Sequence, residues 1–294
     1  MEAYLIAIGI VALIYVLLSL GLTLQYGMTG LINFGHVGFF AIGAYASAIL
    51  ALKGVPLVLC FAAAAILSGL AAWPIGLISL RLRDDYFAIV TLGFSEIVRL
   101  VVTSEKWLTN GVQGLPGIPR LFGSLANATG QFAVLVLILV TVIAAAWMMR
   151  RISNSPFGRV LEGIRDNEEA VKALGKDPAR FKIQVLIVGS ALAGISGAFY
   201  AHYITYIVPD QFVPLVTFYV WMAIIMGGVG RVSGAIAGTA ILMLFLEGSR
   251  FIRDVLPGVS EVEMASIRIG VVGLMLILFT LFRPQGLVGD YTRR

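Results

Sequence analysis

Few residues in this sequence combine a type and a spacing that support chemistry. Glu96 and Arg99 lie three residues apart in an otherwise apolar run. Side chains at that spacing share one face of a helix, where pairing lowers the free energy of placing charge near lipid. We therefore predict a structural ion pair here. His202 stands beside Tyr203 and Tyr206, which predicts an interfacial aromatic belt rather than a metal ligand.

The other requirements of an enzyme are not visible in the sequence. Cys60 is the single cysteine, so a disulfide framework or a thiolate metal site within one chain is excluded. No phosphate loop of the form GxxxxGK[ST] and no carboxylate-rich metal cluster occurs. A nucleophile, base and metal arrangement is equally lacking. The chain is therefore predicted to be no enzyme, to hold no metal or cofactor and to hydrolyse no ATP by itself.

Two glycine-interrupted segments, one in each half of the chain, are candidates for a solute path. They cover 27–43 and 227–238. Transporters use helices broken at related positions of two halves to expose backbone dipoles, which makes Gly227 and Gly228 candidates. Asn33 and His36 are candidates in the first segment, with an interhelical hydrogen bond as the favoured interpretation. For the glycines, close helix packing is an equal alternative.

A charged segment at about 151–182 separates two apolar blocks and contains helix signals. Ser155 before Pro156 predicts a helix start, because the hydroxyl can cap and the proline ring already holds a helical φ. An apolar stripe at three- and four-residue spacing follows, formed by Phe157, Val160, Leu161 and Ile164.

A second short helix is predicted directly after the first. Asp166 can cap it, and Glu169 can reach back to complete a capping box. Gly175 ends it as a C′ glycine, and Pro178 prevents continuation. The apolar side of this helix consists of Ala170, Ala173 and Leu174. Loops between membrane helices are usually shorter, so docking against another protein is favoured over a solvated loop.

The elements that position these residues must suit a lipid bilayer. Hydrophobic residues make up 59% of the 294 residues, charged residues only 13%, and the mean hydropathy is +0.96. A soluble domain of this length cannot enclose so much apolar surface, whereas lipid accepts apolar side chains all round a helix. The composition therefore predicts a polytopic membrane protein.

Apolar runs paced at about 20 residues predict membrane helices rather than the shorter alternating strands of a barrel. The first run, 3–52, is long enough for two crossings with a turn between them. Further runs cover 54–80, 86–103, 131–149, 183–209, 211–230, 232–246 and 267–282. The predicted fold is an all-α polytopic transmembrane helix bundle of about 8 to 10 spans with glycine-broken helices.

Basic residues predict the orientation of the bundle. Most loop Lys and Arg residues fall on the side of the charged segment, including Arg81, Arg83, Arg150, Arg151, Arg283, Arg293 and Arg294. Basic residues are retained on the cytoplasmic side. We therefore expect the amino terminus outside and the carboxy terminus in the cytoplasm. The net charge of +5 does not indicate nucleic-acid binding, because these charges flank spans and form no continuous face.

Six blocks of sequence, spread over nearly the whole chain, carry a family resemblance. They are GLINFGHVGFFAIGAYASAIL, RLRDDYFAIVTLGFSEIVRL, TNGVQGLPGIP, SPFGRVLEGIRDNEEAVKALGKDPARFK, MGGVGRVSGAIAGTAIL and LFRPQGLVG. Together and in this order they resemble the permease subunits of ABC importers for branched-chain amino acids, specifically the M-type partner. One departure is RDDY at 83–86, where that family usually has RGDY.

The resemblance implies a single integral membrane permease domain, 1–294, in a bacterial or archaeal plasma membrane. It implies inward movement of branched-chain or similar small amino acids. The implied partners are two cytoplasmic ABC ATPase subunits, a sister H-type permease and an extracellular solute-binding protein. In that family the cytoplasmic loop seats in a groove of the ATPase, and the matching residues are Glu162, Gly163, Arg165, Asp166, Glu168, Glu169, Ala170, Ala173, Leu174 and Gly175.

Two other classes of protein stay open at this point. An ion-coupled secondary transporter needs acidic residues buried in mid-span, and only Glu96 comes near that position. A structural or channel-like subunit does not need the capped helices. Association with an ATPase separates the importer from both. For the importer, we expect a bulky residue at Gly175, or charge reversal at Glu168 and Glu169, to uncouple transport without preventing insertion.

Overall fold

A computed structural model of the protein describes residues 2–79, 84–123, 125, 127–255, 261–282 and 286–288. Its helices are α1 (Glu2–Leu22), α2 (His36–Leu52), α3 (Leu57–Ser79), α4 (Asp84–Ser104), α5 (Lys106–Thr109), α6 (Asn127–Ser153), α7 (Pro156–Asp166), α8 (Glu168–Ala173), α9 (Pro178–Ile204), α10 (Pro214–Gly227), α11 (Val232–Val255) and α12 (Glu261–Phe282). Arg81, Arg83, Arg283, Arg293 and Arg294, which enter the orientation argument, lie outside the described residues, as does the start of the RDDY block.

The predicted all-α membrane bundle is confirmed by helix length and composition. Within the described residues, six helical stretches are long and apolar enough to cross a bilayer: Tyr4–Gly27, Leu57–Ile78, Tyr86–Ser104, Thr129–Ser153, Pro178–Ile204 and Pro209–Gly227. Three shorter apolar helices accompany them: His36–Leu52, Val232–Gly248 and Ile269–Phe279. The apolar runs of the sequence thus divide into full-length helices and shorter ones.

The helix α9 lies at the centre of the bundle, because small residues let neighbouring helices approach it closely. A Cβ on Gly189 would overlap the backbone of Gly21 in α1. A Cβ on Gly194 would overlap α3 at Ser68, and a Cβ on Gly43 in α2 would overlap Gly194 itself. Contacts of this kind rest on packing at small residues, as is usual between membrane helices.

The structure confirms helix breaks in both glycine-interrupted segments. A π-helical turn, Thr23–Gly27, extends α1, and the chain leaves the helix at Gly30, where φ is +74°. Between α10 and α11 the chain passes through Gly228 at φ +116° and Gly230 at φ +85°. Glycine tolerates these conformations because it has no Cβ.

The short helices α7 and α8 lie together at one end of the bundle, called here the α7–α8 end. They are held by buried Leu161, Ile164 and Val171. In addition, Phe157 of α7 packs against Phe181 of α9 with ring centroids 5.3 Å apart. The charged segment is therefore a structured part of the bundle.

The opposite end of the bundle is closed by the connections after α4 and α9. Leu115 and Ile207 form an antiparallel backbone bridge between these two connections. The connection after α4 contains α5 and a 3-10 turn, Gly111–Gln113, before the prolines. This ordered connection supplies partners to α9, as described below.

Candidate functional site at the α7–α8 end

The start of α7 follows the predicted capping pattern. Ser155 Oγ accepts a hydrogen bond from the Gly158 amide at 3.2 Å, and Pro156 occupies the first turn. Behind this cap, Leu161 and Ile164 are buried on the bundle side of the helix. The predicted cap and the inner part of the apolar stripe are confirmed.

The cap of α8 is Asn167 rather than the predicted Asp166. The Asn167 side chain accepts a hydrogen bond from the Ala170 amide at 3.0 Å, and its extended backbone separates the two helices. Asp166 is the last residue of α7, and its carboxylate lies 3.5 Å from Nε of Arg165. The prediction is one residue early because Asp and Asn are equally good caps.

Gly175 ends α8 as predicted. Its φ is +76°, and its amide donates to the Lys172 carbonyl at 2.9 Å. The Lys176 amide donates to the Val171 carbonyl at 3.2 Å, which completes a Schellman motif. No heavy atom lies within 4 Å of a Cβ built on Gly175, so only backbone conformation opposes a larger residue there.

Glu168 ties α8 to α9. Its carboxylate lies 2.7 Å from Nζ of Lys182 in α9 and 3.2 Å from Nζ of Lys172. Partial burial pushes the pKa of Glu168 upward, but the bonds from Lys182 and Lys172 outweigh it, so the pKa lies below its ordinary value. The ionised carboxylate therefore holds α8 against the bundle at neutral pH. Sequence reasoning missed Lys182, because nothing local marks it as a partner.

The predicted apolar side of α8 faces away from the bundle. Leu174 is 81% exposed, and Ala170 and Ala173 are exposed beside it. The charged side chains of Glu169 and Lys172, which pair at 3.1 Å, border this face. An apolar face with a charged rim is the usual composition of a helix that enters a groove on a partner.

Arg165 connects α7 to the first helix break and lies beside the second. Its Nη1 donates a hydrogen bond to the carbonyl oxygen of Gly27 at 2.6 Å. A Cβ built on Gly230 would lie 3.0 Å from the same nitrogen and 3.2 Å from the Gly27 carbonyl oxygen. Sequence reasoning assigned Arg165 to the docking surface and missed this inward contact, because its partners lie far away along the chain.

The path candidates Asn33 and His36 are fully buried and bonded within the chain. Asn33 Nδ2 donates to Gln25 Oε1 at 2.9 Å, and Trp221 Nε1 donates to the Asn33 carbonyl at 3.1 Å. His36 Nε2 lies 3.1 Å from the Leu18 carbonyl. In this conformation both residues tie the first break to neighbouring helices.

The other path candidates, Gly227 and Gly228, lie where α10 meets α11 and the segment 286–288. A Cβ on Gly227 would overlap the backbone of Gly234, and a Cβ on Gly286 would overlap Gly228. The Val288 amide donates to the Gly227 carbonyl at 2.9 Å. These glycines therefore permit a close junction of three segments.

The structure confirms the predicted ion pair in α4. Arg99 Nη2 lies 2.8 Å from Glu96 Oε2, and Arg99 Nη1 lies 3.9 Å from Asp210 in the turn before α10. The pair thus helps to hold α4 against this turn, at the end opposite α7 and α8.

The interfacial interpretation of His202 is wrong. The side chain is 1% exposed. Its Nε2 lies 2.8 Å from Ser47 Oγ in α2, and its Nδ1 lies 2.7 Å from the Pro119 carbonyl. Phe61 of α3 stacks on the ring at 5.6 Å. His202 therefore joins α9 to three other parts of the chain.

The bundle, with its two helix breaks and its tied surface helices, is that of a polytopic membrane protein, and helices broken in this way are common in transporters. The chain belongs to the family of branched-chain amino acid transport system permease components, whose profile matches residues 4–280. It is a multi-pass membrane protein, and its family is that of the permease components of such systems.

Relatives named LivM and relatives named LivH both match nearly the whole chain. It is 31% identical to the high-affinity branched-chain amino acid transport system permease protein LivM of Salmonella typhimurium, over 96% of this chain and 69% of that protein. It is 25% identical to a probable LivM of Methanocaldococcus jannaschii, over 94% and 91%. LivH of Salmonella typhimurium is 24% identical over 94% and 91%. No solved structure matches the chain significantly.

Proposed function

We propose that this chain is the M-type permease of an ATP-driven importer and moves branched-chain or similar small amino acids inward. The complete complex contains a sister H-type permease, two cytoplasmic ABC ATPase subunits and an extracellular solute-binding protein. The observation that best supports this function is the arrangement of α7 and α8. One face is fixed to the bundle, the opposite face presents Leu174, and Arg165 reaches the helix breaks.

In this proposal α8 carries the contact with an ATPase. Leu174, Ala170 and Ala173 enter an apolar groove of the ATPase, and Glu169 and Lys172 lie at its rim. The remaining residues of the coupling surface are Glu162, Gly163, Arg165, Asp166, Glu168 and Gly175. They set the geometry of the helix pair through the caps, the turn and the ion pairs described above.

Movement of the ATPases then reaches the membrane through α7. Buried Leu161 and the Glu168–Lys182 ion pair hold α7, α8 and the cytoplasmic end of α9 together, so these three parts move as one unit. Arg165 transmits the displacement to Gly27 and Gly230, where the helices are already broken. Nucleotide bound to the ATPase partner shifts the equilibrium between the two conformations of such a bundle.

The path residues of the proposal are Asn33, His36, Gly227 and Gly228. They lie in the two broken segments, where Asn33 bonds to Gln25, His36 contacts the Leu18 carbonyl and Gly227 accepts from the Val288 amide. Discontinuous helices place polar backbone next to a solute in other transporters. In the rearranged state these residues border the path.

The proposed orientation places the α7–α8 end in the cytoplasm, with the amino terminus outside and the carboxy terminus inside. Arg150, Arg151, Arg159 and Lys176 lie on or beside the helices of that end. This distribution of basic residues supports the orientation, because positively charged loops are retained on the cytoplasmic side.

Removal of the apolar face tests the proposal. In the complete complex, Leu174→Asp is expected to abolish co-purification of the ATPases and ATP-dependent leucine uptake in vesicles. The matched control is Val112→Asp, because Val112 is 66% exposed at the opposite end of the bundle. Full ATPase retention and wild-type uptake by Leu174→Asp would overturn the coupling assignment.

An ion-coupled secondary transporter has one observation in its favour. Glu247 of α11 borders a cavity inside the bundle, and sequence reasoning did not single it out. Uptake that depends on an ion gradient and continues after ATP depletion would support this second candidate. Uptake that stops with ATP depletion and resists a protonophore supports the importer.

A further inference from the structure

The helix α6 presents a continuous exposed stripe along its length, called here the α6 face. Its side chains recur at three- and four-residue spacing, which places them on one side of the helix. They are, in order, Phe132, Val136, Val140, Ile143, Trp147 and Arg151. Only 28% of the apolar stretch within Thr129–Ser153 is buried, so most of this span faces outward.

The α6 face has the composition of a surface that contacts lipid. Close helix contacts inside this bundle depend on glycine, as at Gly189 and Gly194. The α6 face instead consists of large branched and aromatic side chains as far as Trp147, which is 61% exposed. Small residues are typical of helix–helix contacts in membranes. The α6 face therefore suits acyl chains better than a second helix.

The end of the α6 face nearest α7 is positively charged. Arg150 and Arg151 follow Trp147 by three and four residues, so both lie on its side of the helix. Both residues are exposed. The sequence contains no Asp or Glu between Lys106 and Leu161. The helix therefore carries these charges with no acidic residue of its own, and an anion complements them.

The guanidinium group of Arg151 is held over the ring of Trp147. Its Cζ atom lies 5.1 Å from the ring centroid, within the range of a cation–π contact. An arginine held by a ring in this way keeps its planar fork of N–H donors for a second partner, and this fork matches two oxygens of a phosphate group. The contact also restricts the side chain, so less conformational freedom is lost when a phosphate binds.

The spacing along α6 matches the layers of one bilayer leaflet. Tryptophan is enriched at the boundary between the hydrocarbon and the headgroups. Arg151 lies four residues beyond Trp147, which is about 6 Å at the helical rise per residue, and the headgroup layer is about 5 to 8 Å thick. Before Trp147, exposed Ile143 and Val140 continue the apolar part of the face. Acyl chains that lie on these residues place a phosphate group beside the arginines.

We propose that Ile143, Trp147, Arg150 and Arg151 form a binding site for an anionic phospholipid. The arginines donate hydrogen bonds to the phosphate group, and the acyl chains lie against Trp147 and Ile143. Phosphatidylcholine binds less tightly, because its choline group compensates the charge of its phosphate. The site goes beyond the proposed import function and does not depend on it. Since α6 ends at Ser153 and α7 begins at Pro156, the lipid lies close to the start of the surface helices.

Quenching of Trp147 fluorescence by brominated phospholipids tests the site in the full-length chain. Trp73 and Trp107 are the other exposed tryptophans and are replaced by phenylalanine. The spectrum of the same chain with Trp147→Phe is subtracted to remove the signal of Trp221. In phosphatidylcholine bilayers, the quenching should show a preference of about fivefold for brominated phosphatidylglycerol over brominated phosphatidylcholine.

Variants of the arginines identify the source of this preference. Arg150→Gln combined with Arg151→Gln should lower it to about one, because the attraction to the phosphate is lost. Quenching by brominated phosphatidylcholine should stay unchanged, which shows that the variant is still inserted. The matched control is Arg180→Gln, since Arg180 is exposed at the same end of the bundle but pairs with Asp177 at 3.0 Å. This control should keep the full preference.

Several results would overturn the proposal. One is equal quenching of the parent chain by both lipids. A preference that survives the double variant, or that Arg180→Gln removes as completely, would reflect the general charge of this end of the bundle. A preference abolished by inorganic phosphate, but not by chloride at the same ionic strength, would identify a soluble anion as the ligand. No lipid preference, together with loss of the ATPases from the complete complex of the double variant, would show that the arginines contact a protein.

Discussion

The guanidinium group of Arg165 donates a 2.6 Å hydrogen bond to the carbonyl oxygen of Gly27, a residue 138 positions away in the chain. Gly27 ends the π-helical turn after α1, where helix carbonyls lose their regular partners. A hydrogen bond from a charged donor contributes about 1.5 to 3 kcal/mol. The contact therefore couples a surface helix directly to the end of a membrane span.

Replacement of Arg165 should slow transport, because the hydrogen bond to the Gly27 carbonyl is weakened or lost. Arg165→Ala is expected to lower the initial rate of leucine uptake at least tenfold, the factor that corresponds to about 1.4 kcal/mol. Arg165→Lys should retain part of the rate, because lysine keeps the charge but lacks the planar fork. Arg159→Ala, an exposed arginine on the same helix, is the control and should transport normally. Equal rates for all variants would exclude a transmitting role.

Gly175→Val should disturb α8 through backbone strain alone. A left-handed conformation costs about 1 to 2 kcal/mol for a residue with a Cβ, and more for a β-branched one. Uptake should fall, while insertion in the membrane stays normal. Gly175→Asn should transport better than Gly175→Val, because asparagine tolerates positive φ.

Gly117 provides a matched control for this strain. Its φ is +74°, and no heavy atom lies within 4 Å of a Cβ built on it, as at Gly175. It lies at the opposite end of the bundle, so Gly117→Val should retain uptake. If both valine variants lose uptake equally, the effect reflects general instability rather than the position of α8.

The attachment of α8 should depend on pH through Glu168. A carboxylate whose folded pKa is lowered stabilises the docked helix above its ordinary pKa of 4.5, and this stabilisation is lost as the pH falls through the lowered value. Hydrogen-exchange protection factors of α8 should therefore decrease between about pH 5 and pH 3. Glu168→Gln should remove this decrease, whereas Glu169→Gln should keep it, because Glu169 is 85% exposed and does not reach α9.

Charge reversal should act differently at the two neighbouring glutamates. Glu168→Lys places a second positive charge against Lys182, so α8 should detach and uptake should fall. Glu169→Lys loses an exposed pair with Lys172, and exposed pairs contribute only about 0 to 1 kcal/mol. Uptake assays on both variants distinguish the roles. A greater loss with Glu169→Lys would contradict the assigned contacts.

His202 should contribute to the stability of the bundle. His202→Ala leaves the Pro119 carbonyl and Ser47 hydroxyl without this partner, and we expect unfolding in detergent to become easier by about 2 to 4 kcal/mol. Ser47→Ala removes one of the two bonds and should have a smaller effect. Tyr206→Phe removes an exposed bond to Gln113 and should change the melting temperature little. A stability loss no greater than that of Tyr206→Phe would contradict this structural role.

Local signals allowed much of the α7–α8 pair to be predicted. Ser155 caps α7 through a hydrogen bond three residues away, and Gly175 ends α8 through its own positive φ. Both roles depend on neighbouring residues only, so they can be predicted from the sequence. Asp166 was misplaced as a cap, because Asn167 offers the same chemistry one residue later. In the structure Asp166 ends α7 and its carboxylate lies beside Arg165 instead.

Contacts between distant parts of the chain could not be predicted in the same way. His202 meets Pro119 only after the connection following α4 folds over α9, and its neighbouring tyrosines suggested an interface instead. The tyrosines that border the same cavity as Glu247 come from three different helices: Tyr4 and Tyr15 from α1, Tyr200 and Tyr203 from α9, and Tyr219 from α10. Periodicity identifies each helix but not the rotation that brings these rings together.

The role of Arg165 in coupling is tested most directly by the ratio of leucine transported to ATP hydrolysed by the complete complex in proteoliposomes. With Arg165→Ala, we expect the ATPases to remain bound and to hydrolyse ATP, while the ratio falls at least fivefold below those of wild type and Arg159→Ala. An unchanged ratio in the Arg165→Ala complex would show that force reaches the helix breaks by another route and would contradict the coupling role of Arg165.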